Sequence, residues 1–194
     1  MADIANPVFA EFTSRFERMT AAAGHSTFVC NTREDPDAER RYVDMLLARR
    51  VDALVISPVT ASVAPRLTAA ARSGKRIVVF DRDIEGDGFH RVHVDNRSGM
   101  AALARRCVAL GHRSIGLLRG HPGDTSLTLR AEGVSDAVRA AGLEPRSAVI
   151  TPEASMATTA EAGRVGFRDL MRRSRRPTLV LCLSNVLTIG ALTE

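Results

Sequence analysis

The chain of 194 residues is poor in aromatic side chains and nearly devoid of lysine. Aromatic residues make up 4% of the sequence, with no tryptophan, which argues against a surface that binds nucleic acid by base stacking. The net charge of +5 is carried almost entirely by arginine, because Lys75 is the only lysine. The arginines are scattered along the chain, with adjacent pairs at 40–41, 49–50, 105–106, 172–173 and 175–176, and only the last two pairs fall within one five-residue stretch. This distribution does not predict a basic stripe for nucleic acid.

Cysteine is scarce as well, and long apolar runs are lacking. Cys30, Cys107 and Cys182 each lie in an apolar stretch at spacings that suit no metal site, as expected of small buried hydrophobic residues in a reducing compartment. No apolar run approaches the ~18 residues of a membrane span. Residues 1–3 do not open a signal peptide. The sequence therefore predicts a cytoplasmic protein without a membrane partner.

Catalytic signatures are also missing. The five histidines are dispersed without metal spacing, and no serine lies in a G-x-S-x-G elbow. Gly120, Pro122 and Gly123 superficially suggest a phosphate loop, but the P-loop lysine and the G-x-G-x-x-G pattern are absent, so we interpret them as turn residues. We expect no enzyme activity, no metal and no cofactor.

What is present is a regular alternation of strand and helix patterns, which predicts an α/β fold with parallel sheets and right-handed crossovers. Asparagine or aspartate followed by proline, at 6–7 and 35–36, marks two helix starts. The pattern divides into similar halves, 1–95 and 96–194, which we expect to be two lobes enclosing a ligand groove. Residues 91–94 are interpreted as a crossover between them. Strands are predicted at 26–31, 51–57, 77–80, 113–118, 147–151 and 178–183.

Charged residues end the β-branched run at 77–80 and the short alternating segment after it. Asp81 and Arg82 follow the first, and Asp95 follows the second. Open α/β sheets bind ligands at the carboxyl ends of their strands, so these three residues are interpreted as the lip of a cleft. The alternative is that they are solvated turn residues.

Both ends of the chain are unusual for a doubly wound lobe. Residues 1–5 are too few and too polar for an opening strand, and the last helix pattern has barely begun at residue 194. We therefore expect the chain to be a piece of a longer protein or the product of a shortened reading frame.

Several long segments follow one another along the chain: DIANPVFAEF at 3–12, CNTREDPDAERRYVDMLLARRVDALVISP at 30–58, IVVFDRDI at 77–84, VHVDNRSGM at 92–100, LGHRSIGLLRG at 110–120, LRAEGVSDAVRAAGL at 129–143 and SNVLTIGAL at 184–192. In their sequence and their order, these segments resemble the LacI/GalR family of bacterial transcription regulators. The resemblance implies an effector-binding core like that of periplasmic sugar-binding proteins, closing around a small ligand such as a sugar or a purine. It also implies a homodimer. The family's helix-turn-helix and hinge helix are absent, as are its opening strand and the elements after residue 194, so operator DNA is expected as a partner only of a full-length relative.

The resemblance places ligand contacts in the second half of the chain. Arg130, in LRAEG, falls where the family has an arginine that reaches the effector, and a guanidinium can bridge vicinal hydroxyls or grip a carboxylate. Its alternative is a solvated arginine in the first turn of a helix. Asp124 and Ser126 lie where relatives contact ligand, or they cap the following helix. Asn185 falls where many relatives carry a ligand-binding aspartate, and it doubles as a helix cap. An amide there favours a neutral, hydroxyl-rich ligand.

The resemblance also assigns roles nearer the start of the chain. Phe9 falls at the predicted cleft entrance, where aromatic residues of relatives stack on ligand, and the alternative is core packing with neighbouring phenylalanines. Asp95 and Asn96 are candidates for hinge residues that absorb a closing rotation.

Three functions follow from these patterns. The first is the effector-sensing core of a LacI-type repressor. The second is a solute-binding protein of an import system, which has the same fold but requires a signal peptide. The third, an enzyme on a doubly wound sheet, requires a nucleophile, base or cofactor loop, and the sequence offers none.

Overall fold

The computed structural model describes residues 1–153 and 157–194. The chain divides into two compact units, Met1–His93 and Val94–Glu194. The boundary expected from the sequence, after residue 95, lies close to this division. Each unit contains a three-stranded parallel sheet with helices packed against it.

In the first unit the strand order is β1-β2-β3, so β2 lies in the centre. Leu54 pairs with Ile77, and Ile77 pairs with Phe89. The core lies between the sheet and helices α2 and α3, where Leu67 and Ile77 are fully buried. The elements are α1 Pro7–Ala22, α2 Pro36–Ala48, β1 Ala53–Ile56, a 3-10 turn Ala61–Val63, α3 Ala64–Arg72, β2 Arg76–Phe80 and β3 Phe89–Val92.

Local sequence signals set the first two helices. The side chains of Asn6 and Asp35 accept hydrogen bonds from the backbone N–H groups of Val8 and Asp37, and proline follows each cap. This is the arrangement predicted from the two proline pairs, because a cap supplies an acceptor and proline at the first helical position loses no hydrogen bond.

Two expectations for this unit need revision. The segment 91–94 does contain the division between the two units, at His93 and Val94, but its first two residues, Arg91 and Val92, also belong to β3, which pairs parallel to β2. Its alternation of side chains reflects an exposed edge strand. The segment 26–31 was predicted as a strand, but it joins neither sheet. Its apolar composition favours a strand, but a strand also requires a hydrogen-bonded neighbour, and composition does not identify that neighbour.

In the second unit the strand order is β5-β4-β6, and all four residues of the central strand β4 are buried. The core combines this strand with α4 and α5, including Ile115, Val134 and Val138. The elements are α4 Asn96–Ala109, β4 Ile115–Leu118, α5 Thr125–Ala140, α6 Pro145–Ala148, β5 Val149–Ile150, α7 Ala160–Arg172, β6 Leu179–Cys182 and α8 Asn185–Leu192.

Other differences from the sequence-based assignment are smaller. The strand expected at 147–151 is reduced to β5, because the short helix α6 takes its first residues. On α4, Cys107 is buried while Leu103 and Leu110 are exposed. The α/β class with parallel sheets and flanking helices is confirmed. No helix in the described part of the chain is long and apolar enough to cross a membrane.

Glycine allows the helices of the second unit to approach closely. A Cβ atom added at Gly133 of α5 would lie 2.2 Å from the carbonyl oxygen of Arg97 in α4. A Cβ at Gly190 of α8 would meet the backbone of Ala160 in α7 just as closely. Since backbone atoms cannot move aside as a flexible side chain can, these positions hold the two helix pairs at a distance that only glycine permits.

We predict that Gly133→Ala lowers the free energy of unfolding by about 1–3 kcal/mol, because the added methyl group separates α4 from α5. The matched control is Gly99→Ala in α4, where a Cβ atom meets nothing within 4 Å. It should be neutral or stabilising by up to ~1 kcal/mol through helix propensity. Urea denaturation of both variants measures the difference, and equal effects would contradict the close approach.

Candidate functional site

Several polar residues predicted from the sequence meet at the carboxyl edge of the second unit's sheet. Strands β4 and β6 run parallel and end at this edge. The loop after β4 carries Asp124 and leads into α5, and the chain after β6 leads through Leu183 into α8. This edge is where open parallel sheets bind ligands, because successive loops diverge there and leave a crevice.

Arg130 ties three of these segments together. Its Nε donates to Oδ1 of Asn96 at 2.7 Å, and its Nη1 donates to the carbonyl oxygen of Leu183 at 2.6 Å. The side chain is half-buried and makes no ion pair with any described residue. Its Nη2 has no hydrogen-bond partner within residues 1–153 and 157–194. Neutral acceptors therefore fix the guanidinium in place while its charge and one amino group are left for another partner.

Asn96 has a role that its sequence pattern did not reveal. It was predicted as a hinge residue, but it is the first residue of α4, is 5% exposed, and supplies the acceptor for Arg130. The preceding Asp95 is exposed and accepts from the backbone N–H of Ser98 at 3.0 Å. This hydrogen bond lowers the pKa of the Asp95 carboxyl. Asp95 is therefore the N-cap of α4, and a hinge function for the pair stays a prediction.

Asp124 and Ser126 form a buried cap at the start of α5. Oδ1 of Asp124 accepts from the N–H groups of Ser126 and Leu127 at 2.9 and 3.2 Å, and from Oγ of Ser126 at 2.6 Å. The capping alternative thus describes Asp124, whereas Ser126 is the second residue of α5 and donates to that cap. Their predicted ligand contacts stay predictions.

Asn185 is placed differently from the expected cap. The N-cap of α8 is Ser184, whose Oγ accepts from the N–H of Leu187 at 3.2 Å, and Asn185 is the first helical residue. The prediction that Asn185 caps this helix is wrong, because serine fills that position. The half-buried Asn185 lies two residues after the carbonyl that binds Arg130. Its ligand role stays a prediction.

In the first unit, Asp81 and Arg82 follow β2 as expected, but Arg82 points inward. It is 7% exposed, and its Nη1 and Nη2 donate to the two carboxylate oxygens of Glu34, each at 2.7 Å. In this bidentate ion pair both terminal nitrogens of the guanidinium are bound to the carboxylate, which connects the segment of Glu34 to the loop after β2. Asp81 has a φ of +66°, a left-handed conformation that aspartate tolerates better than most residues, and its N–H donates to the carbonyl of Val92 at 2.9 Å. Cleft roles for both stay predictions.

Phe9 is a core residue in this structure. Its ring is 3% exposed and meets Phe80 edge-on, with centroids 6.4 Å apart. Phe12 stacks on the same Phe80 ring at 4.0 Å. The core-packing alternative therefore describes Phe9, although its partner is Phe80, which the helical periodicity could not identify. Stacking of Phe9 on a ligand stays a prediction.

Comparison with known proteins places these features in a family. A model described as periplasmic binding proteins and sugar binding domain of LacI family matches residues 1–193. The chain belongs to that family. The resemblance recognised in the sequence is thereby confirmed.

The individual relatives of this LacI-family chain are distant from it in sequence. The HTH-type transcriptional repressor PurR of Actinobacillus pleuropneumoniae is 29% identical over 189 residues, covering 96% of this chain. The chain spans 54% of the length of that repressor.

Solved structures show the same fold. The Cra transcriptional dual regulator of Pseudomonas putida, in complex with fructose 1-phosphate, has a TM-score of 0.88 at 24% identity, covering 100% of this chain and 70% of that one. A solute-binding protein of an ABC transporter from Mycobacterium smegmatis, with bound glycerol, has a TM-score of 0.84 at 23% identity, covering 99% and 67%. At these identities the likeness establishes the fold alone.

Sequence reasoning missed the residues that anchor the arginines of this LacI-family chain. Glu34 follows a turn with positive φ at Arg33, and no motif marks it as the partner of Arg82. The carbonyl of Leu183 carries no side-chain signal at all. Glu39 is also buried, at 1% exposure, and accepts from the N–H of Val59 at 2.7 Å. Burial raises the pKa of the Glu39 carboxyl.

The described residues of the chain contain no group of three or more histidine, cysteine, aspartate or glutamate side chains placed to hold a metal ion. The polar groups at the carboxyl edge of the second sheet are a guanidinium, amides, a hydroxyl and the carboxylate of Asp124, which caps α5. Such groups bind ligands through hydrogen bonds to hydroxyl, carbonyl or anionic oxygens.

We predict that Asp124→Ala destabilises the protein by about 1–2 kcal/mol, because it removes a buried cap with three donors. Asp95→Ala is the matched control, an exposed aspartate cap with one backbone donor, and should cost about 0.5 kcal/mol. Chemical denaturation of the two variants provides the comparison. An Asp95 variant as unstable as the Asp124 variant would show that burial of the cap is unimportant.

Proposed function

We propose that this chain is the effector-sensing core of a LacI-type transcriptional repressor. It binds a small polar metabolite, such as a sugar, at the carboxyl edge of the second unit's sheet. The observation that carries the proposal is the geometry of Arg130, which is fixed by Asn96 and the Leu183 carbonyl and keeps Nη2 for a ligand.

The chemistry of this arrangement suits an oxygen-rich ligand. A guanidinium presents its donors in a plane, so Nη2 and the outer N–H of Nη1 can bind two neighbouring hydroxyls or a carboxylate or phosphate. Because Arg130 is already held by two protein acceptors, binding costs little side-chain entropy. No described carboxylate neutralises it, so the positive charge stays available to an anionic substituent of the ligand.

The ligand class remains broad within these limits. Asn185 offers an amide donor and acceptor without charge, which favours hydroxyl groups over a cationic centre. The family model describes a sugar binding domain, and the Cra structure contains fructose 1-phosphate. We propose a sugar or a sugar phosphate, which is bound and released without chemical conversion.

Repression belongs to a longer protein that would contain this core. The chain spans about half the length of the curated relatives it matches, and those relatives are named as HTH-type transcriptional repressors. We propose that the effector state of this core controls operator binding in such a protein, which acts in the cytoplasm as a homodimer.

A solute-binding protein of an import system is the second candidate. The observation favouring it is the ABC transporter solute-binding protein from Mycobacterium smegmatis, whose fold matches at a TM-score of 0.84. The repressor PurR, which matches by sequence at 29% identity against 23% for the solute-binding protein, favours the regulator.

We predict that a sugar or sugar phosphate raises the melting temperature of the chain by roughly 5–10 °C at saturation. Arg130→Ala should abolish this rise, measured against the variant's own melting temperature, because the ligand loses its charged donor. Arg139→Ala is the control, since Arg139 lies exposed on the same helix and pairs with Asp136 at 2.9 Å. A panel of sugars, sugar phosphates and purines tested by thermal shift supplies the measurement.

The same samples test the remaining points. Ligand recovered unchanged after incubation is expected of a sensor, and a converted ligand would indicate an enzyme. An unaltered thermal shift in the Arg130 variant would contradict the site. Ligand-dependent change in the operator affinity of a longer protein containing this core would distinguish the repressor from the solute-binding protein.

A further inference from the structure

Exposed arginines gather at the amino edge of the second unit's sheet. The parallel register brings the start of β4 beside the starts of β5 and β6, since Ile115 pairs with Val149 and with Leu179. The segments that lead into these strands therefore lie side by side, and helices α4, α5 and α7 end at the same edge. Six exposed arginines here make no ion pair with any described residue, and we call them the arginine edge: Arg106, Arg113, Arg146, Arg172, Arg175 and Arg176.

Hydrogen bonds join the segments that carry these arginines. The N–H of Thr178 donates to the carbonyl of Ser114 at 2.8 Å, and Nδ1 of His112 lies 2.9 Å from Oγ1 of Thr178. Nη1 of Arg113 donates to the carbonyls of Val108 and His112 at 2.8 and 3.1 Å. Because neighbouring strands lie about 4.8 Å apart, the segments leading into the three strands span roughly 10 Å. The arginines thus share one surface, although they come from separate stretches of the sequence.

The positive charge of the arginine edge is almost unopposed. Segments 105–113, 139–148 and 171–178 contain one carboxylate, that of Glu144, and it accepts from the backbone N–H of Arg146 at 3.4 Å. The net charge of the whole chain is +5, so the rest of the chain is close to neutral. Like charges that share a surface repel one another and disfavour the compact state, and a bound anion removes this repulsion.

Helix C-termini account for part of this pattern. A cation in the last turn of a helix is stabilised by the carbonyl groups at that end, and Arg106, Arg146 and Arg172 occupy such positions. This explanation does not extend to Arg175 and Arg176, which follow the end of α7. The fold does not require it either, since α1 and α2 have no basic residue in their last turns. The helix dipoles therefore do not explain the full set.

The side chains around the arginines determine which kind of polyanion fits. Segments 105–113, 139–148 and 171–178, which the structure describes throughout, contain no aromatic residue, and Leu110 is their only exposed large apolar side chain. A protein partner requires apolar or aromatic anchors at the centre of the interface, and single-stranded nucleic acid requires rings on which bases stack. The phosphate backbone of a duplex requires only positive charge and hydrogen-bond donors, which guanidinium groups supply.

We propose that the arginine edge binds the phosphate backbone of double-stranded DNA without reading its sequence. The width of roughly 10 Å across the three segments is comparable with that of the major groove, about 12 Å, so arginines of different segments can reach phosphates on both of its rims. Binding is driven by the release of counterions, which makes it weak and strongly dependent on salt. It is independent of the proposed effector site, which lies at the opposite edge of the sheet.

Fluorescence anisotropy with a short labelled DNA duplex of arbitrary sequence tests the proposal on the chain itself. We expect a dissociation constant of roughly 1–100 μM near physiological salt. The affinity should fall tenfold or more between about 50 and 200 mM salt, because each phosphate contact releases counterions. A duplex of unrelated sequence should bind equally well, since backbone contacts carry no sequence information.

A matched pair of double variants locates the binding surface. Arg175→Ser combined with Arg176→Ser should weaken the affinity about tenfold or more and reduce the slope of log affinity against log salt by roughly 2, because two phosphate contacts are lost. The control combines Arg41→Ser in α2 with Arg119→Ser after β4, which removes the same charge from exposed arginines elsewhere. It should change the affinity by less than about threefold, since salt screens distant charges. All four side chains are exposed, so we expect both variants to fold.

Three outcomes would overturn the proposal. One is a lack of duplex binding even at about 50 mM salt, where counterion release favours it most. Another is an equal loss of affinity in the two double variants, which would indicate a response to net charge alone. The third is equal or tighter binding of single-stranded DNA, or of an acidic peptide of the same charge, which would assign the arginine edge to a different partner.

Discussion

The hydrogen bonds of Arg130 to Asn96 and to the Leu183 carbonyl determine the carboxyl edge of the second unit's sheet. They link the start of α4, the second turn of α5 and the segment that leads into α8. Without these hydrogen bonds the three segments would lie at the same edge of the sheet, but nothing would fix their positions relative to one another. Because the acceptors are neutral, the guanidinium orders the loops and keeps its charge.

Arg82 in the first unit shows the contrasting use of the same side chain. Both of its terminal nitrogens bind the carboxylate of Glu34, and one also approaches the carbonyl of Pro58 at 3.4 Å. A buried guanidinium is costly unless it is paired, and here it connects the loop after β2 to the segment before α2 through Glu34, and to the loop after β1 through Pro58. One arginine is therefore neutralised within the protein, whereas the other is positioned but not neutralised. That difference in partner charge, more than residue type, separates a structural arginine from a candidate ligand-binding one.

Close packing of the helices explains why the second unit can present such an edge. Gly133 and Gly190 allow α4 and α5, and α7 and α8, to meet backbone to backbone. The first unit has no equivalent closure on the open side of β1, where helices α1 and α2 face a cavity. The two units therefore each contain three parallel strands, in a different order, and they differ in how completely those strands are covered.

Much of the fold and the family could be predicted from the sequence. Helix starts at Asn6 and Asp35 and the buried run of β2 follow from local chemistry, since caps, proline and hydrophobic periodicity act between residues close in the chain. The sequence also pointed to Arg130. It could not identify Asn96 and Leu183 as its anchors, Glu34 as the partner of Arg82, or Phe80 as the partner of Phe9. Those contacts join residues that are far apart in the chain, and only the packing of helices and sheet determines which of them meet.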